Sequence, residues 1–198
     1  MLENYNIYYS SGEKEEVTRQ TLTLAFSTAV KEKIRNVLIP STTGFSANIA
    51  LLEVPDEITL IVVTHSHGYI NNGESEFPKT LRDNLIASRH KLLTATHAFK
   101  GLEGYLQKKY GGISLSQAFA DGLRVVSPGL KVLIEISVMA CDGGILSVND
   151  WIVSCGGPHR GLDTAAIIRP TTSHHMQHFR FARLICFPDK YVGGENNA

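Results

Sequence analysis

The stretch from Asn36 to Glu53, NVLIPSTTGFSANIALLE, constrains the fold most, because an apolar strand runs into a hydroxyl- and glycine-rich turn that opens a helix. The first N–H groups of a helix have no partners within it and sit at the positive end of its dipole, so a helix start favours an anion. Ser41, Thr42, Thr43 and Ser46 add hydroxyls around that point, and Gly44 permits a positive φ or a close approach of ligand to backbone. One Ser or Thr suffices to cap a helix, whereas four stand here within six positions. The turn therefore reads as a cradle for a phosphate, with helix capping alone as the alternative.

Short β-rich apolar runs alternate with longer segments of helical period, the pattern of an α/β layered sheet whose long crossovers make it parallel. The expectation is a three-layer α/β/α sandwich with a mostly parallel central sheet, folded as one domain over residues 1–198. Helices are predicted at about Glu15 to Lys33, Ser46 to Leu52, Lys79 to Ser88 and Ser114 to Val126. Strands are predicted at Asn36 to Pro40, Thr59 to Thr64, Lys91 to Thr96, Trp151 to Ser154, Thr164 to Arg169 and Phe181 to Phe187. TLIVVT, from Thr59, is too evenly apolar to face water on either side and should be central. LKVLIEISVMACDGG resembles a strand, but Val132, Leu133, Ile136, Met139 and Ala140 follow helical spacing and predict a buried helix ended by Gly143 and Gly144. The loop from Gly68 to Pro78 is expected to act as a mobile flap.

Polar residues gather where strands end: PSTTG at Pro40, VTHSHG at Val63, TATHA at Thr94 and CGGPHRG at Cys155. Parallel strands present their carboxyl ends at one edge, where ligands bind beside a switch in strand order, so four such tips predict one site. His65 and His67 alternate across a strand end, and His65 is the one expected to enter the crevice. With His97 it offers a proton shuttle, a metal pair or ordinary hydrogen bonds to a ligand. No carboxylate stands at a ligand-like spacing from either histidine, so no metal site is expected. Glu135, inside an apolar helix, must be paired or protonated, with Arg124, Arg160 or a ligand as candidate partners. Gly156, Gly157, Arg160 and Gly161 make a second turn that either closes on an anion or a ring carbonyl or is a plain tight turn. HHMQH, His174 to His178, reads as a solvated connection.

Nineteen basic and nineteen acidic side chains balance, which argues against nucleic acid or an anionic membrane as partner. Cys141, Cys155 and Cys186 lack CxxC spacing and read as buried thiols of a cytoplasmic protein. MLENYNIYYSS has neither the basic start nor the apolar block of a signal peptide.

Taken in order, NVLIPSTTGFSA, IVVTHSHG, LLTATHAFKGLE, YGGI, VLIEISVMACDGG, IVSCGGPHRGLDTA and LICFP resemble small stand-alone proteins related to the C-terminal α/β domain of pyruvate kinase. The resemblance covers most of the chain and implies that domain's fold. In the kinase the domain is regulatory, and a Ser/Thr/Gly turn matching Ser41 to Ser46 holds a sugar-phosphate effector; the catalytic barrel is absent here, so kinase activity is not implied. Stand-alone relatives look like flavin mononucleotide (FMN) binders. That implies the flavin phosphate at Ser41 to Ser46 and its ring toward Thr64, His65, Thr96 and His97. Phe45 stands where the enzyme's turn often has a more polar residue, a departure from the sugar-phosphate pattern. Members of that family often associate, and a homodimer is the expectation. The functional expectation is a binder of FMN or a similar small phosphorylated ligand, with flavin redox chemistry left open. A regulatory module sensing a sugar phosphate or nucleotide and a phosphate-ester hydrolase are the alternatives.

Overall fold

Alternation along two strands dictates the layering in the computed structural model, which describes residues 5–189. In β2 (Asn36–Pro40), Val37 and Ile39 enter one apolar cluster and Leu38 the opposite one. In β3 (Thr59–Thr64), Leu60 and Val62 join the first cluster, Ile61 and Val63 the second. Successive side chains point to opposite faces, so strands apolar in both directions need cover on both sides. The first face takes α1 (Lys14–Lys31) through Leu22, Ala25, Phe26 and Ala29, with α2 (Phe45–Glu53) and α3 (Lys79–Ala87) beside it. The second takes α6 (Pro128–Asp142) through Leu133, Ile136, Met139 and Ala140, against which α5 (Leu115–Val126) packs. This is the expected three-layer sandwich.

The seven strands run in the order β1 (Tyr8–Ser10), β7 (Arg180–Pro188), β6 (Thr164–Arg169), β5 (Ile152–Gly156), β2, β3, β4 (Lys91–Thr94). The pairs β2·β3, β2·β5, β3·β4 and β1·β7 are parallel, while β6 is antiparallel to both its neighbours. Residues 157–163 are too few for a parallel return, which needs a crossover of about a dozen residues or more, so β6 reverses.

Several boundaries differ from the sequence reading. β4 stops at Thr94, short of Thr96, and Trp151 precedes β5. Pro128 opens α6, its missing N–H being no loss in a first turn, and the Ser127 hydroxyl accepts from Gly129 N–H (3.0 Å) and Leu130 N–H (3.4 Å). Two further elements, β1 and α4 (Gly101–Tyr110), have no counterpart in that reading. The loop after β3 closes on itself, with Gly68 N–H donating to the Glu74 carbonyl (2.8 Å). The HHMQH segment is a largely exposed 3-10 turn, Ser173–His178. All three cysteines are buried and free. No described helix is long and apolar enough to cross a membrane. Met1 to Asn4, the head of the segment read for a signal, lie outside the described residues.

Candidate functional site

The chain leaves β2 for β3 and β4 on one side and returns to β5 on the other, so the strand order switches between β5 and β2. Loops that diverge from such a point leave a crevice at the carboxyl ends of the strands. A cavity of about 480 Å³ opens among these tips, lined by Ser41, Thr42, Thr43, Phe45, Ser46, Thr64, His65, His97, Glu135, Gly157 and Arg160. That volume falls in the range of small-molecule sites, about 300–1,000 Å³.

One side of the cavity is the start of α2. Gly44 takes a φ of +86°, a left-handed conformation open to glycine, and a Cβ there would stand 2.9 Å from Leu81 Cδ2. Gly44 thus shapes the turn and faces α3, away from the cavity. Ser41 Oγ accepts the Ala47 N–H (3.2 Å), which satisfies one amide of the first turn. The N–H groups of Phe45 and Ser46 meet no acceptor among the described residues. Beside them, the Arg160 guanidinium lies 4.4 Å from the centre of the Phe45 ring, a cation–π contact. The loop carrying Arg160 is tied to α1, since Thr18 Oγ1 accepts the Leu162 N–H (3.0 Å) and Thr21 Oγ1 donates to the Leu162 carbonyl (3.3 Å). Within it His159 has a φ of +49°, a conformation that costs a non-glycine residue about 1 kcal/mol or more.

The other side is built around Glu135, 1 % exposed on α6. Its Oε1 accepts the Phe99 N–H (3.1 Å), and its Oε2 accepts from Lys131 and lies 3.2 Å from His97 Nδ1. Burial pushes a carboxyl upward, yet the His97 hydrogen bond and the Lys131 charge outweigh it and hold Glu135 down at about 2. Lys131 shows the opposite balance: its burial lowers it, and the attraction of Glu135 does not compensate. The two partners therefore disagree about the worth of their pairing. Three donors serve the carboxylate and one acceptor serves the lysine, so the favourable side is Glu135 and the pair is worth less than that shift alone implies.

Next to this cluster His65 Nδ1 lies 3.0 Å from Glu76 Oε2. Burial and the neighbouring His97 lower its pKa, and Glu76 offsets part of that. The His65 ring stands 4.3 Å from Tyr69 and 4.8 Å from His97. Lys100 donates to the Tyr69 hydroxyl (3.2 Å). Lys100, Arg124, Lys131 and Arg160 line the cavity against two carboxylates, Glu76 and Glu135, so its electrostatics favour an anionic guest.

Three residues expected in the site lie elsewhere. Thr96 is exposed in the turn after β4 and does not line the cavity, because the strand has already ended at Thr94. Gly156 is the last residue of β5 and backs onto α6, where a Cβ would overlap the Gly129 carbonyl. Gly44 is the third, for the reason given. His67 is exposed and outside, while His65 is inside. Glu135 meets Lys131 and His97 rather than Arg124 or Arg160. Both histidines do have carboxylates, brought from 11 and 38 residues away, distances at which spacing carries no signal. Sequence reasoning missed Tyr69, Glu76, Lys100 and Lys131. Only Lys131 left a trace, one helical turn before Glu135. Among the described residues no group of three His, Cys, Asp or Glu side chains is placed to hold a metal ion. No family model matches the chain.

Proposed function

We propose that this chain binds a small phosphorylated ligand, FMN foremost, at the carboxyl ends of its parallel strands, as its resemblance to stand-alone pyruvate kinase C-terminal-domain-like proteins implies. One observation carries the reading: the first amides of α2, at Phe45 and Ser46, have no protein acceptor among the described residues and stand beside a cavity that Arg160 also lines. Helix amides, hydroxyls of Thr42, Thr43 and Ser46 and a guanidinium are the donor set a phosphate dianion takes. The cavity also fits a flat ring, being walled by Phe45, His65, Tyr69 and His97. FMN, when bound, supplies redox chemistry; the chain's own part is to bind the phosphate, orient the ring and hold protons near it. The three free, buried thiols suit a reducing compartment, and we infer a cytoplasmic location.

The same reading includes association into a homodimer. Residues 102–126 carry exposed Leu102, Tyr110, Ile113, Leu115 and Val125. Helix α4 buries no side chain, and a helix of its ten residues is marginal in water unless packed. A second copy is the surface it lacks.

Purified protein tests the ligand. FMN should raise the melting temperature, inorganic phosphate should raise it less, and riboflavin, which lacks the phosphate, should have little effect. Thr43→Trp and Arg160→Ala should each abolish the FMN shift in folded protein, since Thr43 is exposed at the rim. Equal stabilisation by riboflavin and FMN, or full FMN binding by both variants, defeats the reading.

A further inference from the structure

Of the lysine and arginine side chains that line the cavity, Arg160 is the one without a polar partner among the described residues. Lys131 is paired with Glu135, Arg124 with Asp121, and Lys100 donates to the Tyr69 hydroxyl. Arg160 has the Phe45 ring instead, its Cζ 4.4 Å from the ring centre. The backbone around it is already fixed. Asp163 N–H donates to the Gly156 carbonyl (3.0 Å), and Thr18 and Thr21 hold Leu162 at its N–H and its carbonyl. What stays loose is the exposed arginine side chain itself, long and rich in rotamers. Phe45, half-buried at the start of α2 and packed against the core of the first face, is what restrains it.

We propose that Phe45 is the positioning residue of the phosphate site, its ring holding the Arg160 guanidinium beside the first amides of α2, where it pairs with the phosphate of the ligand. The inference rests on the phosphate-ligand reading and adds how the cation is aimed. Phe45 serves twice, because its own N–H is one of the amides that meet no acceptor among the described residues. A guanidinium carries five N–H donors around the edge of a plane, so a ring contact restrains it and still leaves donors for two phosphate oxygens. Restraint of this kind strengthens binding by removing part of the ordering cost that a freely rotating arginine meets when the anion arrives. It acts only on a ligand that brings an anion to α2. An aliphatic side chain at residue 45 keeps the amide and loses the aromatic face that attracts the cation.

Binding titrations on the full chain test this, with FMN, inorganic phosphate and riboflavin as probes. Phe45→Leu should weaken FMN and inorganic phosphate by the same factor, about two- to fivefold, the worth of an exposed cation–π contact, and should leave riboflavin unchanged. Phe45→Tyr should restore both. Proton NMR of the unliganded wild type should show cross-relaxation between the Phe45 ring and the Arg160 side chain, with Arg160→Ala assigning the signals. Absence of that cross-relaxation overturns the proposal. So does unchanged affinity of Phe45→Leu for FMN and inorganic phosphate, and either result leaves the binding reading standing. A loss confined to FMN and riboflavin, with inorganic phosphate unaffected, means that the ring stacks on the ligand and also overturns it. If Phe45→Leu does not fold, Phe45→Met carries the same comparison. A wild type that binds neither FMN nor inorganic phosphate removes both the proposal and the reading beneath it.

Discussion

Glu135 concentrates several electrostatic partners on one buried side chain. In the folded state its pKa is about 2, against an ordinary 4.5, so as the pH falls the unfolded chain takes up the proton first and stability drops. The contribution is complete above about 4.5 and is lost as the pH falls toward 2; it amounts to about 3 kcal/mol before the opposing cost of Lys131 is subtracted. Urea titrations should show the wild type losing stability through that window, and Glu135→Gln should lose less over the same range. Glu135→Ala should cost about 3–5 kcal/mol at neutral pH, because Lys131, 7 % exposed, then keeps a charge with no counter-ion. A cost under about 1 kcal/mol would mean that the lysine escapes to water. At this scale the sequence was a partial guide. A carboxylate among Val, Leu and Ile announces that it needs partners, but their identity depends on which loops fold over α6, and Phe99 and His97 lie more than thirty residues earlier. The Ser41 to Ser46 turn was legible because all its chemistry is local; Glu76 was not, because only the closing of its loop brings it to His65.

Between elements, β5 and α6 approach closely. Ser154 Oγ donates to the Leu133 carbonyl (2.9 Å), and Gly156 lies directly against the backbone at Gly129. A methyl at Gly156 meets the Gly129 carbonyl and the Leu133 amide, which are backbone and cannot rotate away. A methyl at Gly129 meets Thr164 Oγ1 and Asp163 Oδ1, which can rotate away, and Thr164 Cβ at 2.8 Å, which cannot. Gly156→Ala should therefore cost about 3 kcal/mol or more in denaturant melts and Gly129→Ala less, about 2 kcal/mol, and the reverse order would mean that the helix, not the strand, absorbs the change. Strands β2 and β3 and helix α6 were readable because each is buried on more than one side, which leaves long apolar runs. The reversal of β6 was not read from the sequence, although its connection is too short to cross over. The end of β4 was misread by two residues because Thr94 and Thr96 are equally good strand formers, and only the turn into α4 distinguishes them. Helix α4 escaped notice for a physical reason: a helix that buries nothing shows no stripe, and Gly101 and Gly104 further weaken the signal.

At the scale of the molecule, the segment from α4 through α5 is an exposed apolar surface among the described residues. Leu115 is 89 % exposed and Val125 87 %, and with Leu102, Tyr110 and Ile113 they are the apolar side chains that the proposed homodimer would cover. Their apolar area offers about 1.5–3 kcal/mol per side chain on burial, and in the proposed homodimer a two-fold axis would let each protomer supply and receive it at once. Because α5 also contributes Gln117 and Arg124 to the cavity lining, the proposed homodimer contact, if it covers α5, would help to fix one wall of the site. Light scattering at micromolar concentration should return twice the chain mass. Leu115→Glu with Val125→Glu should return the single mass and lose helical circular dichroism, since α4 then has nothing to pack on. The double variant should also bind FMN more weakly than the wild type while Thr43 and Arg160 remain in place, which separates a wall held by the partner from a defect in the phosphate cradle. A wild type that stays monomeric across the same concentrations, with α4 helical, would place the stability of that helix in the chain itself.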